Sequence, residues 1–171
     1  MFDEELRAEA VRLLDDARAA GLRFATAESC TGGLIAGLLT EIAGSSDVFE
    51  RGFVTYSNAA KAEILGVPRT ILRTEGAVSR ATAEAMAAGA LAASRADAVV
   101  AVTGIAGPGG GGPGKPVGLV HLAALRRGGS VHHEERRFGD AGRSEVRRLT
   151  VVAALELLRA VAFAATEGGR T

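Results

Sequence analysis

From Asp97 to Val102 the chain carries its most continuous apolar run, Ala98-Val99-Val100-Ala101-Val102. Successive side chains of a strand point to opposite faces, so a strand of this composition has two apolar faces to cover. Such strands sit inside sheets that have helices on both sides. The surrounding sequence supplies the helices. Asp3 can cap a first helix to about Ala20, in which Leu6, Ala10, Leu13, Leu14 and Ala17 recur at helical spacing and Gly21 is the stop. Leu34 to Ile42 reads as an apolar helix. Ala59 to Leu65 reads as a short one, capped by Ser57 or Asn58 and stopped by Gly66. Ser79 opens a longer helix with Ala83, Met86, Ala87, Ala90 and Leu91 on one face. A last helix is expected from about Ser144 to Thr166.

Further strands are expected at Arg23 to Ala27 and, from their β-branched and aromatic residues, at Phe53 to Tyr56. Val117 to Leu125 and Val131 to Phe138 flank Gly128-Gly129 and read as a β-hairpin. The order α-β-α-β-α-α-β, hairpin, α predicts an α/β fold: a single three-layer α/β/α domain with a mixed sheet, spanning residues 1–171. A chain of this length can bury roughly 70% of its unfolded surface, so it needs neither a disulfide nor a structural metal.

Three glycine-rich signals compete for a functional reading. Gly109 to Lys115 fits the front of a P-loop. However, Pro116 stands where a magnesium-binding Ser or Thr belongs, and the expected helix is replaced by the strand-like Val117-Gly118-Leu119-Val120. Gly107 to Gly112 spells a dinucleotide fingerprint and lacks the same helix. The stretch Gly104 to Gly114 therefore reads as a loop at the end of the central strand, either plain surface or a mobile flap over a site. Ser29-Cys30-Thr31-Gly32-Gly33 lies between a strand and a helix, where the first helical N–H groups have no partner of their own. It can act as an ordinary helix cap, or as a cradle for a phosphate or a developing oxyanion.

A second polar cluster is Thr55-Tyr56-Ser57-Asn58-Ala59-Ala60-Lys61. If Asn58 caps the helix, Lys61 lies in the first turn, where the positive helix end disfavours an ammonium, and partial burial acts the same way. A neutral lysine can deprotonate a nearby serine hydroxyl. The alternative is a solvated surface lysine, the commonest kind.

These stretches, with several others in the same order, resemble the CinA C-terminal domain family, whose enzymes are nicotinamide-nucleotide amidases. The matching segments are Thr26 to Gly33, Ala43 to Ser46, Phe49 to Asn58, Gly76 to Ser79, Thr103 to Pro108 and Lys115 to Gly118. The resemblance covers nearly the whole chain and implies hydrolysis of an amide on a nicotinamide nucleotide, with no metal or organic cofactor. It implies a serine–lysine dyad, Ser29 and Lys61, with Tyr56 as a third catalytic residue that relays a proton or orients the lysine. Thr31, Gly32, Gly33, Thr103 and Gly104 are the expected substrate contacts. An arginine near the last helix would hold the nucleotide phosphate. Here the family's Gly-Asp-Arg pattern becomes Gly139-Asp140-Ala141-Gly142-Arg143, so Arg143 is the first match and Arg147 the second. Only one helix precedes the motif, which predicts the stand-alone form of the family.

The remaining features narrow the partners. Twenty basic residues against twenty acidic ones lack the basic excess of a dedicated nucleic-acid binder. The acidic N-terminus is not a signal peptide, and the apolar run from Val151 to Ala165, interrupted by Glu156 and Arg159, falls short of the ~20 residues of a membrane span. A lone cysteine, Cys30, fits a cytoplasmic location and reads as a packed residue. His132 and His133 alternate faces of a strand, and the histidines lack the third nearby ligand of a metal site. Glu28 could orient Lys61 or cap locally, and Arg126 and Arg127 read as solubility charges. The apolar helices favour a homodimer or higher homo-oligomer. Two functions follow: an amidohydrolase acting on nicotinamide mononucleotide, or an inactive nucleotide-binding module of the same fold. Release of ammonia separates them.

Overall fold

The structure is a computed structural model and describes residues 2–164. Its elements are α1 (Glu4–Ala20), β1 (Phe24–Glu28), α2 (Leu34–Glu41), β2 (Phe49–Val54), α3 (Asn58–Leu65), α4 (Arg69–Thr74), α5 (Arg80–Ala92), β3 (Ala98–Gly104), β4 (Leu119–Arg126), β5 (Val131–Arg137) and α6 (Arg143–Ala162), with one 3-10 turn at Ser45–Asp47. The helix ends follow local chemistry. Asp3 accepts the Leu6 N–H at 2.8 Å to start α1, and Gly21, at φ 66, turns the chain out of it. Ser79 caps α5 through the Thr82 N–H.

The sheet order is β2-β1-β3-β4-β5, with β1 parallel to β2 and β3 and the last two pairs antiparallel. The chain steps from β1 outward to β2, then back across to β3. Crossovers of one hand in opposite directions put their helices on opposite faces. Accordingly α2 packs with α1 and α6 on one side, and α3 packs with α5 on the other. The central strand divides its side chains between the two cores. Ala98, Val100 and Val102 join the α1/α2/α6 layer, while Val99 and Ala101 join the α5 layer.

The structure corrects the sequence expectations at several points. The second strand runs from Phe49 to Val54 rather than Phe53 to Tyr56, because Phe24 to Glu28 pair along it from Phe49 onward. A short helix, α4, lies at Arg69–Thr74, too brief to show a period. The hairpin strands begin at Leu119 and end at Arg137. The last helix ends at Ala162, and positions 165 and 166 of its expected span lie outside the described residues. Arg127 is also no mere surface charge: it donates to the carbonyls of Leu91, Ser94 and Ala96 and ties off the end of α5.

The seating of α3 depends on a glycine. A Cβ on Gly89 of α5 would run into the Leu65 carbonyl, whose carbon lies 2.8 Å from that position. Helix propensity favours alanine over glycine by ~1 kcal/mol. We nevertheless expect Gly89→Ala to destabilise the protein by about 1–3 kcal/mol, the cost of overpacking. Denaturant unfolding checks the sign, and a stabilised variant would contradict this close approach.

Candidate active site

Three parallel strands end together: β1 at Glu28, β2 at Val54 and β3 at Gly104. The order reverses about β1, and such switch points open a crevice beyond the carboxyl ends of the strands. A cavity of about 190 Å³ lies there, lined by Ser29, Cys30, Tyr56, Lys61, Ala77, Val78, Thr103, Gly104, Ala106 and Arg143. A roomier groove of about 350 Å³ between α1 and α6 holds only apolar residues and charged ones, most of them already paired, such as Arg12 with Glu9 and Arg148 with Asp3.

Glu28 builds the turn that presents Ser29. Its carboxylate, fully buried, accepts from the N–H groups of Gly33, Ile35 and Ala36 at 2.8–3.0 Å and from the hydroxyls of Thr31 and Thr26 at 2.6 and 3.2 Å. Glu28 thus caps α2 and makes no bond to Lys61. The positive end of α2 is spent inside the protein, so it is not a phosphate cradle. Gly32 and Gly33 take φ of 60 and 97, the left-handed conformations that let the chain turn from strand to helix. Thr31 is wholly buried. The structure places Thr31, Gly32 and Gly33 in the scaffold of the turn, and none of the three lines the cavity.

Lys61 reaches Ser29 from the opposite layer. Ser57, not Asn58, caps α3 by accepting the Ala60 N–H at 3.1 Å, and Lys61 follows as its fourth residue. The lysine is 1% exposed, and its Nζ lies 2.8 Å from Ser29 Oγ and 2.8 Å from the Thr55 carbonyl, to which it donates. Among the described residues no carboxylate pairs with it. Burial lowers its pKa below the ordinary lysine value. One carbonyl and one hydroxyl suit a neutral amine, which has two donors and a lone pair, better than an ammonium with three donors.

The rim is cationic. Arg143, the first residue of α6, donates to the Tyr56 hydroxyl at 2.9 Å and to the Gly107 carbonyl at 3.0 Å, bridging the cavity mouth. Thr103 Oγ1 donates to the Ala77 carbonyl at 2.7 Å and fixes the wall made by Ala77 and Val78. Any side chain at Gly104 would meet Val120 Cγ2 at 2.7 Å. Arg147 lies one turn further along α6, outside the cavity lining, and donates to the Thr31 carbonyl at 2.8 Å. Sequence reasoning gave no role to the apolar wall of Ala77, Val78 and Ala106, although these residues fall in the matching segments Gly76 to Ser79 and Thr103 to Pro108.

Cys30 is buried, and burial pushes its thiol up to about 12, with its own backbone N–H and, more weakly, Lys61 and Arg147 opposing only in part. His121 and His133 pair at 3.0 Å on the α5 side of the sheet, where His121 stands across from Thr103 and neither histidine lines the cavity, while His132 faces solvent. Among the described residues no group of three His, Cys, Asp or Glu side chains is placed to hold a metal. No helix among them is long and apolar enough to cross a membrane.

Residues 4–162 match the family model of the CinA C-terminal domain. The chain belongs to this family. It is 48% identical over 159 residues to the nicotinamide-nucleotide amidohydrolase PncC of Escherichia coli K12, covering 92% of this chain and 95% of that protein. The protein of the same name from Pseudomonas putida is 52% identical over 147 residues, covering 86% and 91%. The chain spans only 34% of a longer relative, the CinA-like protein of Geobacter sulfurreducens, at 51% identity. Among solved structures, the competence/damage inducible protein CihA from Agrobacterium tumefaciens superposes with a TM-score of 0.93 at 59% identity, over 95% of this chain and 98% of that one. The sheet and its helices are therefore the α/β fold of this family.

A thiol held so high stays protonated at neutral pH, and the thiolate is the reactive form. Native Cys30 is expected to resist iodoacetamide at pH 8 and to react fully once the chain is unfolded. Mass spectrometry of both samples checks this, and rapid native labelling would contradict the burial.

Proposed function

We propose that the chain is a single-domain amidohydrolase that converts nicotinamide mononucleotide to nicotinate mononucleotide and ammonia through a Ser29–Lys61 dyad, in pyridine-nucleotide salvage. The relatives named nicotinamide-nucleotide amidohydrolase support the substrate. The observation that carries the mechanism is the buried Lys61 Nζ at 2.8 Å from Ser29 Oγ with no carboxylate beside it. Neutral Lys61 takes the serine proton as Oγ attacks the carboxamide carbon. The N–H of Cys30, which follows the nucleophile on the cavity wall and finds no backbone acceptor among the described residues, receives the oxyanion. Lys61 returns the proton to the departing nitrogen, and ammonia leaves an acyl-enzyme. Water, deprotonated by Lys61, then releases the acid and restores Ser29.

Arg143 holds the nucleotide phosphate, since its bonds to the Tyr56 hydroxyl and the Gly107 carbonyl leave its charge without a counter-ion. Tyr56 orients this arginine at the mouth, and Thr103 and Gly104 shape the floor for the ring. The reaction needs no metal or organic cofactor. The same reading places the enzyme in the cytoplasm, in keeping with its one unpaired cysteine. It also makes the enzyme a homodimer or higher assembly, for which the exposed Val54 and Ile64 offer apolar surface.

Purified protein is expected to release ammonia from nicotinamide mononucleotide, and Ser29→Ala and Lys61→Arg to lose that activity while keeping the fold. A guanidinium cannot serve as a base. Activity should rise with pH through a midpoint below the ~10.4 of a free lysine. The unfolded chain binds the Lys61 proton more tightly, so this residue makes stability rise with pH up to the unfolded value, and Lys61→Met should remove that dependence. Binding of the nucleotide without turnover would instead identify an inactive module, and an active Lys61→Arg variant would end the dyad mechanism.

Arg143→Ala is expected to raise KM for the nucleotide by about tenfold or more, as for a lost hydrogen bond to a charged group. KM for the phosphate-free nucleoside should hardly change. Steady-state kinetics on both substrates check the difference.

A further inference from the structure

Arg147 is unlike Arg148 and Arg159 of α6, which are paired with carboxylates. It makes no ion pair among the described residues, its Nε is buried without a partner, and its one hydrogen bond goes to the Thr31 carbonyl at 2.8 Å. The Leu34 N–H reaches the same oxygen at the longer distance of 3.3 Å. The peptide group that carries this carbonyl also carries the Gly32 N–H, which donates to the Ser29 carbonyl at 3.0 Å. The peptide group of the Ser29 carbonyl carries in turn the Cys30 N–H, which has no backbone acceptor among the described residues. A guanidinium is thus wired through two peptide groups in series to a free donor one residue after the nucleophile. Each hydrogen bond in such a chain polarises the next and strengthens the terminal donor.

We propose that Arg147 is a positioning residue that acts through the Thr31–Gly32 and Ser29–Cys30 peptide groups to make the Cys30 N–H a stronger oxyanion donor. This rests on the amidohydrolase reading above. The two arginines of α6 then divide the work. Arg143 stands on the cavity wall and meets the substrate, whereas Arg147 stands behind the turn and meets only backbone. The role needs a cation whose charge is not cancelled nearby, and a carboxylate partner would drain the polarisation. It also needs the turn geometry that Gly32 provides at φ 60. Because the oxyanion exists only along the reaction path, the contribution appears in the transition state and not in substrate binding.

The test compares Arg147→Met and Arg147→Lys with the wild type. Kinetics use nicotinamide mononucleotide and its phosphate-free nucleoside, and ¹H–¹⁵N spectra follow the amides of Gly32 and Cys30. Deleting an oxyanion donor outright costs about 10²–10³ in kcat, so weakening one should cost Arg147→Met about tenfold. KM should stay within about twofold on both substrates, the pattern of an interaction made only in the transition state. The Gly32 and Cys30 amide protons should move upfield together, and Arg147→Lys should recover part of both effects. A rise in KM confined to the nucleotide would make Arg147 a phosphate ligand and overturn the proposal. So would an unchanged kcat, or amide resonances that stay in place. Should Arg147→Met fail to fold, Arg147→Lys carries the same readouts with smaller changes. A wild type that releases no ammonia would defeat the amidohydrolase reading alone, because the amide shifts still decide whether the relay exists.

Discussion

The Glu28 carboxylate, fully buried at the end of β1, gathers five hydrogen bonds from the start of α2 and from two threonines. A carboxylate taken out of water without partners is prohibitively costly. Here the orphan donors of a helix end and the positive pole of its dipole supply the compensation, and the same bonds satisfy backbone groups that would otherwise be stranded. Ser29 is the next residue, so the angle at which the chain leaves the strand is set by this one group. The Thr55 N–H donates to the Glu28 carbonyl at 2.8 Å, which fixes the start of the segment leading to Lys61.

Against that rigid turn the contact between Lys61 and Ser29 is an exercise in isolation. Lys61 is surrounded so that its amine meets a hydroxyl and a carbonyl and no acid. A paired carboxylate would hold the ammonium and abolish its basicity, whereas burial alone moves the lysine toward the neutral form. The cost is a poorly solvated amine in the core, the kind of local instability that active sites carry and the rest of the fold must offset. The packed contact of Gly89 against Leu65 is part of that offset, since it holds α3 down on α5.

Charge is distributed with equal economy around the cavity. Many arginines among the described residues are engaged with carboxylates on the surface, as Arg18 is with Asp15 and Asp47 and Arg159 with Glu9 and Asp16. Arg143 and Arg147 are bonded instead to neutral oxygens. That difference, invisible in a formal net charge of zero, leaves two guanidinium groups without a carboxylate partner beside the cavity.

Much of this was legible in the chain itself. The doubly apolar run at Ala98 to Val102 required a sheet covered on both faces, and Asp3, Gly21, Gly66 and Ser79 marked helix ends because capping is chemistry between residues three or four positions apart. The Ser29 turn, the Lys61 cluster and the arginine pair of the last helix could likewise be named from motifs. The sequence could not show that 32 residues of chain return Lys61 to within 2.8 Å of Ser29, or that 116 residues separate Arg147 from the carbonyl it holds. Nor could it choose between the two duties open to Glu28, put Arg143 on the cavity wall and Arg147 behind the turn, or turn Arg127 from surface charge to helix cap. Local propensity is written in neighbouring residues. Burial, hydrogen-bond partners and the isolation of a charge belong to pairs that meet only when the layers close, and those were settled by the tertiary structure.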